Sequence, residues 1–187
     1  MKKEFTTNIC LACIKKSGYG CCEEDPVLPL TVEDLNRLVK MGFNIDDFLI
    51  AQKYNKSDIE GTEKWWKSGM IKIKGKMYKL NIRKDKKGRC YFLKPGKGCT
   101  LGKHRPYVCR TYPFWISPKG KVVYAEGEDK DCYIGQCGYS PKDGLKLIKE
   151  NEKDLKFCFN KIKKDALSKK DKAEAKIVLE KILEKKK

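Results

Sequence analysis

The sequence predicts an α+β fold: a small antiparallel sheet with surrounding helices and cysteine-rich loops, followed by a helical C-terminal extension. Three observations predict it. Between Ile71 and Ile82, apolar residues alternate with lysines at the period of two expected of half-buried strands. Around Leu35, and again after Ser140, apolar residues recur at helical spacing. Eight of the ten cysteines fall in two blocks at loop-like positions on either side of these elements. The cysteine-rich unit is expected over residues 1–139 and the extension, packed on it, over 140–187.

Taken in order, Val27-Leu-Pro-Leu30 leads to Thr31, an N-cap, with Glu33 and Asp34 in the first turn where the helix dipole favours acids. Leu35, Leu38 and Val39 make the apolar stripe, and Gly42 ends the helix. A second short helix is expected over residues 46–52, giving Phe48, Leu49 and Ala51 to the core. Residues 54–69 read as a linker. Ile71 and Ile73, then Tyr78, Leu80 and Ile82, form strands joined by turns at Gly75-Lys76 and 85–88. A last strand, residues 89–93, should carry Cys90 toward a site. Lys94-Pro-Gly-Lys-Gly98 lacks the Gly-Lys-Ser/Thr pattern of a phosphate loop, so its role is to turn the chain and bring Cys99 in. Residues 121–126 add one short strand. Ser140-Pro-Lys-Asp143 has an N-cap, a first-position proline and an acid at the third position. Leu145, Ile148, Leu155, Phe159 and Ile162 continue at helical spacing. Ser168 opens a last helix with Ala173, Ile177 and Leu183 on its face.

Composition narrows the function classes. A chain of 187 residues can bury a core without disulfides. Met1 to Phe5 is not followed by an apolar run of signal-peptide length, and no stretch nears the ~20 apolar residues of a membrane span. A cytoplasmic protein in a reducing compartment is therefore expected, where cysteines stay thiols or hold metal. The Lys-, Ile- and Glu-rich composition leans thermophilic, the one setting in which intracellular disulfides compete. The formal net charge of +18 is uneven: between Lys67 and Lys121, Asp85 is the single acid among seventeen lysines and arginines. Such a block can attract an anionic partner or nucleic acid, or offset thiolate charge. No recognised nucleic-acid motif accompanies it.

The cysteines carry the chemistry. Cys10-Leu-Ala-Cys13 lets one turn present two soft sulfurs to a single ion, and Cys21-Cys22 follows. Cys90, Cys99, Cys109 and Cys132 form the second block. Adjacent side chains in an extended segment point to opposite faces, so Cys21 and Cys22 serve two metals, or one ligates and the other packs or reacts. Eight cysteines allow two four-sulfur sites, or one with spares. Cys137 competes with Cys132 as a ligand, Cys158 between two phenylalanines reads as a buried inert thiol, and His104 is the only histidine. Arg110 beside Cys109, and Arg105, can hydrogen-bond cluster sulfurs or pair with carboxylates such as Glu33. Tyr112, Phe114 and Trp115 either exclude water from the centre or form core.

At Cys10, Cys13, Cys21, Cys22, Leu30-Thr31, Cys90-Tyr-Phe-Leu93, Cys99 and Arg105-Pro-Tyr-Val-Cys109-Arg-Thr-Tyr-Pro-Phe114, the chain resembles the CxxCxxCC (YkgJ-like) family of zinc- or iron-chelating proteins. The resemblance spans residues 5–137. It departs where seven residues separate Cys13 from Cys21, against the family's usual two. The flagellin lysine methylases carry a similar cysteine core, which raises a modification context, but no S-adenosylmethionine domain is evident and that activity is not carried over. The resemblance implies an iron–sulfur cluster, 4Fe-4S, on Cys10, Cys13, Cys21, Cys22, Cys90, Cys99, Cys109 and Cys132, with Arg105 and Arg110 facing it; zinc is the alternative. The expected role is electron transfer, or service to a protein or RNA modification reaction with a partner protein. The competing role is a zinc-stapled module binding an acidic partner or RNA through its basic sheet. An enzymatic activity is left open.

Overall fold

The computed structural model describes residues 9–17, 22, 28–60, 63–94, 96–125, 130 and 132–185. It is a mixture of helices and small antiparallel sheets, as the sequence predicts. Helix α1 spans Ile9–Ser17 and α2 spans Val32–Lys40. Thr31 caps α2 in a capping box: its Oγ1 accepts from the Asp34 amide at 2.9 Å and its own amide donates to Asp34 at 3.2 Å. Val32, Leu35 and Leu38 are buried at threefold spacing, and that phase turns Val39 outward, to 41% exposure. Gly42 closes the helix at φ +89°, where a Cβ would be strained.

The expected helix over 46–52 is shorter than its pattern. Helix α3 stops at Phe48 (Ile45–Phe48), and Leu49–Tyr54 is instead strand β1. Cross-strand partners decide this: β1 lies antiparallel to β3 (Lys76–Ile82), pairing Leu49 with Ile82 and Ala51 with Leu80. Strand β2 (Ile71–Ile73) pairs on the other edge of β3, giving the order β1-β3-β2. The intervening segment 54–69 is not a bare linker; it holds helices α4 (Lys56–Ile59) and α5 (Lys64–Ser68). Leu30 donates to the Leu80 carbonyl and Ile82 to the Leu28 carbonyl, so the approach to α2 runs along β3.

One sheet face, with Leu49, Ile71, Ile73, Leu80 and Ile82, forms the largest core with Leu35, Leu38, Phe48 and Phe92. Strands β4 (Leu93–Lys94) and β5 (Gly98–Cys99) make a two-stranded hairpin, followed by a 3-10 turn over Gly102–His104 and helix α6 (Tyr107–Thr111). The strand expected near residue 121 is β7 (Val122–Tyr124), paired with β6 (Phe114–Ile116). Helix α7 is Tyr133–Gln136.

The extension is three helices: α8 (Pro141–Leu147), α9 (Glu152–Leu167) and α10 (Lys169–Glu184). Its apolar spacing crosses a break the periodicity does not show, at Lys149 with φ +60° and the Asn151 N-cap. On α10 the buried face is Leu179 and Ile182, while Ile177 is 55% exposed. The three helices supply residues to each of the three apolar clusters, Leu145 and Leu155 to one, Cys158 and Ile162 to another, Leu179 and Ile182 to the third. No described helix is long and apolar enough to cross a membrane.

Where α8 crosses β6, an ideal Cβ at Gly144 would sit 2.6 Å from Phe114 and 2.9 Å from Ile134, both buried. Gly144→Ala is therefore expected to destabilise by about 1–3 kcal/mol through overpacking. Urea denaturation checks it; an unchanged midpoint would mean the two side chains yield freely.

Candidate metal centre

Two tight turns hold two of the predicted ligands in the same way. The Cys90 amide donates to the Cys22 carbonyl at 2.7 Å, and the Leu93 amide to the Cys90 carbonyl at 3.0 Å, a turn whose Phe92 and Leu93 amides favour the Cys90 thiolate. After Cys99 the amides of Leu101 and Gly102, with Gly102 at φ +51°, likewise favour the thiolate. In each turn the amides that act on the cysteine are those two and three residues on. An N–H aimed at sulfur favours the thiolate over the thiol, and such donors orient and tune metal-bound thiolates. The turn also explains why residues 89–93 are not the expected strand. Cys90 keeps one antiparallel bridge, to Lys84, because an extended run would carry its following amides away from the sulfur.

Cys22, Cys90, Cys99 and Cys109 lie within electrostatic reach of one another. Burial, and then the neighbouring thiols, push Cys90 up to about 12, raise Cys99, and raise Cys109 well above its ordinary value. Thiols in this state keep their protons until a cation replaces them. Among the described residues no three Cys, His, Asp or Glu side chains are already drawn into a coordinating shell. Electrostatic reach exceeds a bond length, so the four sulfurs are gathered without being closed on a point. Cys90 is buried, Cys22 and Cys109 are half-buried, and Cys99 is exposed. Cys22, Cys90 and Cys109 pack on the core containing Phe92 and Leu101.

Cys109 owes its place to α2. Asp34, fully buried, accepts from the Tyr107 amide at 3.2 Å, from Thr31 Oγ1 at 2.9 Å and from Arg37 at 2.6 Å. Tyr107 is the first residue of α6, so one carboxylate caps both α2 and the helix bearing Cys109. Arg37 also donates to the Arg105 carbonyl at 3.1 Å, and the Tyr107 hydroxyl donates to Glu33 at 2.6 Å. The Thr31-x-x-Asp34 box is legible in the sequence; its second client, 73 residues away, is not.

The two arginines divide. Arg110 forms a two-pronged pair with Glu150, both bonds at 2.8 Å, which raises its pKa. Arg105 approaches Glu150 at 3.6 Å, and its charge stabilises a Cys99 thiolate. The carboxylate partner is thus Glu150, not the expected Glu33, which takes Lys161 and Tyr107. The aromatics also divide. Phe114 is buried in the cluster with Tyr133 and Leu145, Trp115 stacks with Trp65 and meets Phe159, and Tyr112 is 37% exposed. Phe48 and Phe92, rather than these, are the buried aromatics of the core that holds Cys90.

Cys132 and Cys137 flank α7 and both pack, half-buried, on the apolar cluster containing Ile9. Helix α1, whose backbone includes Cys10 and Cys13, contacts α7. The side chains of Cys10 and Cys13, and all of Cys21, lie outside the described residues. Cys158 is fully buried against Tyr107 and Ile162, its thiol pushed up to about 11 by burial, as an inert thiol would be. His104 is exposed in the 3-10 turn.

Comparison with curated proteins and with solved structures gives no match. A family model does match, over residues 9–137, which includes all four gathered thiols and the Asp34 cap. The chain belongs to the CxxCxxCC family, described as "Putative zinc- or iron-chelating domain".

Proposed function

We propose that Cys22, Cys90, Cys99 and Cys109 hold an iron–sulfur cluster, and that the protein is a carrier of single electrons or an accessory to a modification reaction. The observation that carries this reading is that Cys22, Cys90, Cys99 and Cys109 lie within electrostatic reach of one another, with Cys90 and Cys99 each on a turn whose amides favour a thiolate. Amides so placed favour a thiolate, free or metal-bound, over a neutral thiol. The donor set fits: four soft sulfurs, apolar backing from Phe92 and Leu101, and Arg105 to balance negative charge. When bound, such a cluster supplies one-electron chemistry. The chain's own part is to orient the sulfurs, screen the buried side from water, and leave the Cys99 side accessible. The cysteines on α1 and around α7, brought together by the backbone, are the natural donors of a second centre.

The same four sulfurs complete a tetrahedral zinc shell. Protein purified without oxygen should be brown, with iron and acid-labile sulfide in near-equal amounts. Colourless protein holding only zinc would replace the cluster with a structural ion.

Alanine at Cys22, Cys90, Cys99 or Cys109 should each lower the metal content of the purified protein, whichever metal it is. Cys158→Ala should leave metal content unchanged while lowering thermal stability. Loss of metal from Cys158→Ala alone would show that the gathered thiols are not the ligands.

A further inference from the structure

We propose that the exposed edge of the centre at Cys99 is a docking site for a partner protein with a face rich in aspartate and glutamate. This rests on the metal-centre reading above and adds to it the surface used and the chemistry of the partner. Cys99 is the one exposed member of the four thiols. The two turns that hold it also carry exposed cations. Lys94 and Lys97 lie on the β4–β5 hairpin, where Lys94 pairs with Gly98 and Leu93 with Cys99, and Lys103 lies on the 3-10 turn beginning at Gly102. Arg105 adds a charge that acts directly on Cys99. Residues 86–125 contain no aspartate or glutamate. Among the described residues no acidic side chain pairs with Lys94, Lys97 or Lys103, whereas the nearest acid in sequence, Asp85, is bound to Arg89 at 2.6 Å.

Three exposed lysines on the segments flanking one exposed ligand, none of them paired with an acid among the described residues, create with Arg105 a field that steers an acidic surface to that ligand. Tyr91, 44% exposed and stacked edge-on against Phe92 on the turn after Cys90, offers an apolar contact of the kind found at the centre of small interfaces. These cations fall on one short hairpin and the 3-10 turn after it, a span suited to a protein face. A bound single strand would require a track of cations with aromatic platforms. Trp65, Trp115 and Phe159, however, are packed on one another rather than arrayed beside these lysines.

The test uses the full-length, metal-loaded protein, a glutamate-rich peptide as the probe and an oligothymidylate of equal charge as the competitor. Amide chemical shifts are followed during titration. The peptide should shift residues 94–103, bind more tightly than the oligothymidylate, and weaken with added salt. The triple variant Lys94→Glu, Lys97→Glu, Lys103→Glu should lose about tenfold or more in peptide affinity. The triple variant Lys72→Glu, Lys74→Glu, Lys76→Glu, on the exposed β2–β3 hairpin, should lose much less although its charge changes equally. Equal losses in the two variants, shifts centred on the β2–β3 hairpin, or tighter binding of the oligothymidylate would each overturn the proposal. Metal content, read on the same samples, tests the centre separately from the docking face.

Discussion

Asp34→Ala is expected to destabilise the protein by about 3–5 kcal/mol and to lower its metal content. The side chain is fully buried and accepts from Thr31, Arg37 and the Tyr107 amide. Its loss leaves two buried helix-terminal donors without their acceptor and takes from the part-exposed Arg37 its carboxylate, the costly way to break a buried network. The metal effect follows from position. Without the Asp34 acceptor the first turn of α6 has no fixed phase against α2, and Cys109 lies two residues beyond Tyr107. Asp34→Asn keeps an acceptor of the same shape and should restore part of the stability but not the pairing with Arg37. Equilibrium unfolding in urea, with metal analysis of the folded protein, checks both effects. A loss below about 1 kcal/mol would mean that water replaces the carboxylate, contrary to its burial.

Asp165→Ala is expected to cost less, about 1–3 kcal/mol, for a different reason. Lys79 is 9% exposed on the sheet face opposite the main core. Its Nζ sits 3.9 Å from the Trp66 ring centroid, and burial pulls its pKa down to about 8 despite the opposing charge of Asp165. Burial raises Asp165 to about 6, although it accepts the Val32 amide at 2.7 Å and faces Lys79. Removing Asp165 leaves the lysine uncompensated and the start of α2 without its acceptor. Lys79→Met combined with Asp165→Asn removes both charges, keeps an acceptor for Val32, and should recover most of the loss.

The pair also sets a pH dependence. The folded-state pKa of Asp165 lies above its ordinary value of 3.8, so its contribution is full below that value and declines as pH rises through about 6. The folded-state pKa of Lys79 lies below its ordinary value of 10.5, so its contribution is full above that and is lost as pH falls through about 8. Relative to the double variant, wild-type protein should therefore be least stable between about pH 6 and 8. A difference that is flat across pH 4–10 would show that the two groups ionise as they do in water.

Much of this molecule is readable before folding. The helix starting after Thr31 and the strand alternation from Ile71 to Ile82 follow from local caps and periodicity, which depend on neighbours within a few residues. Residues 46–52 misread as helix because short apolar runs satisfy both periods, and only the partner strand β3 breaks the tie. The exposed Val39 and Ile177 show the same limit: apolar character fixes a stripe's width, while the neighbour fixes its phase. At the site, the cysteine spacings pointed to soft-metal chemistry. They did not say which sulfurs meet.

The sequence by itself determined the α+β class, the cysteine-based chemistry and the family, because composition, spacing and rare residues in fixed order survive without coordinates. Tertiary structure alone decided that Cys22, Cys90, Cys99 and Cys109 are gathered, that Cys99 is their exposed member, and that Asp34 and Glu150 hold the arginine- and cysteine-bearing segment. The reason is distance along the chain. Asp34 and Tyr107 are 73 residues apart, and Arg110 and Glu150 are 40 apart. Contacts that close such loops are selected by the packing of the whole core, and no local pattern encodes them.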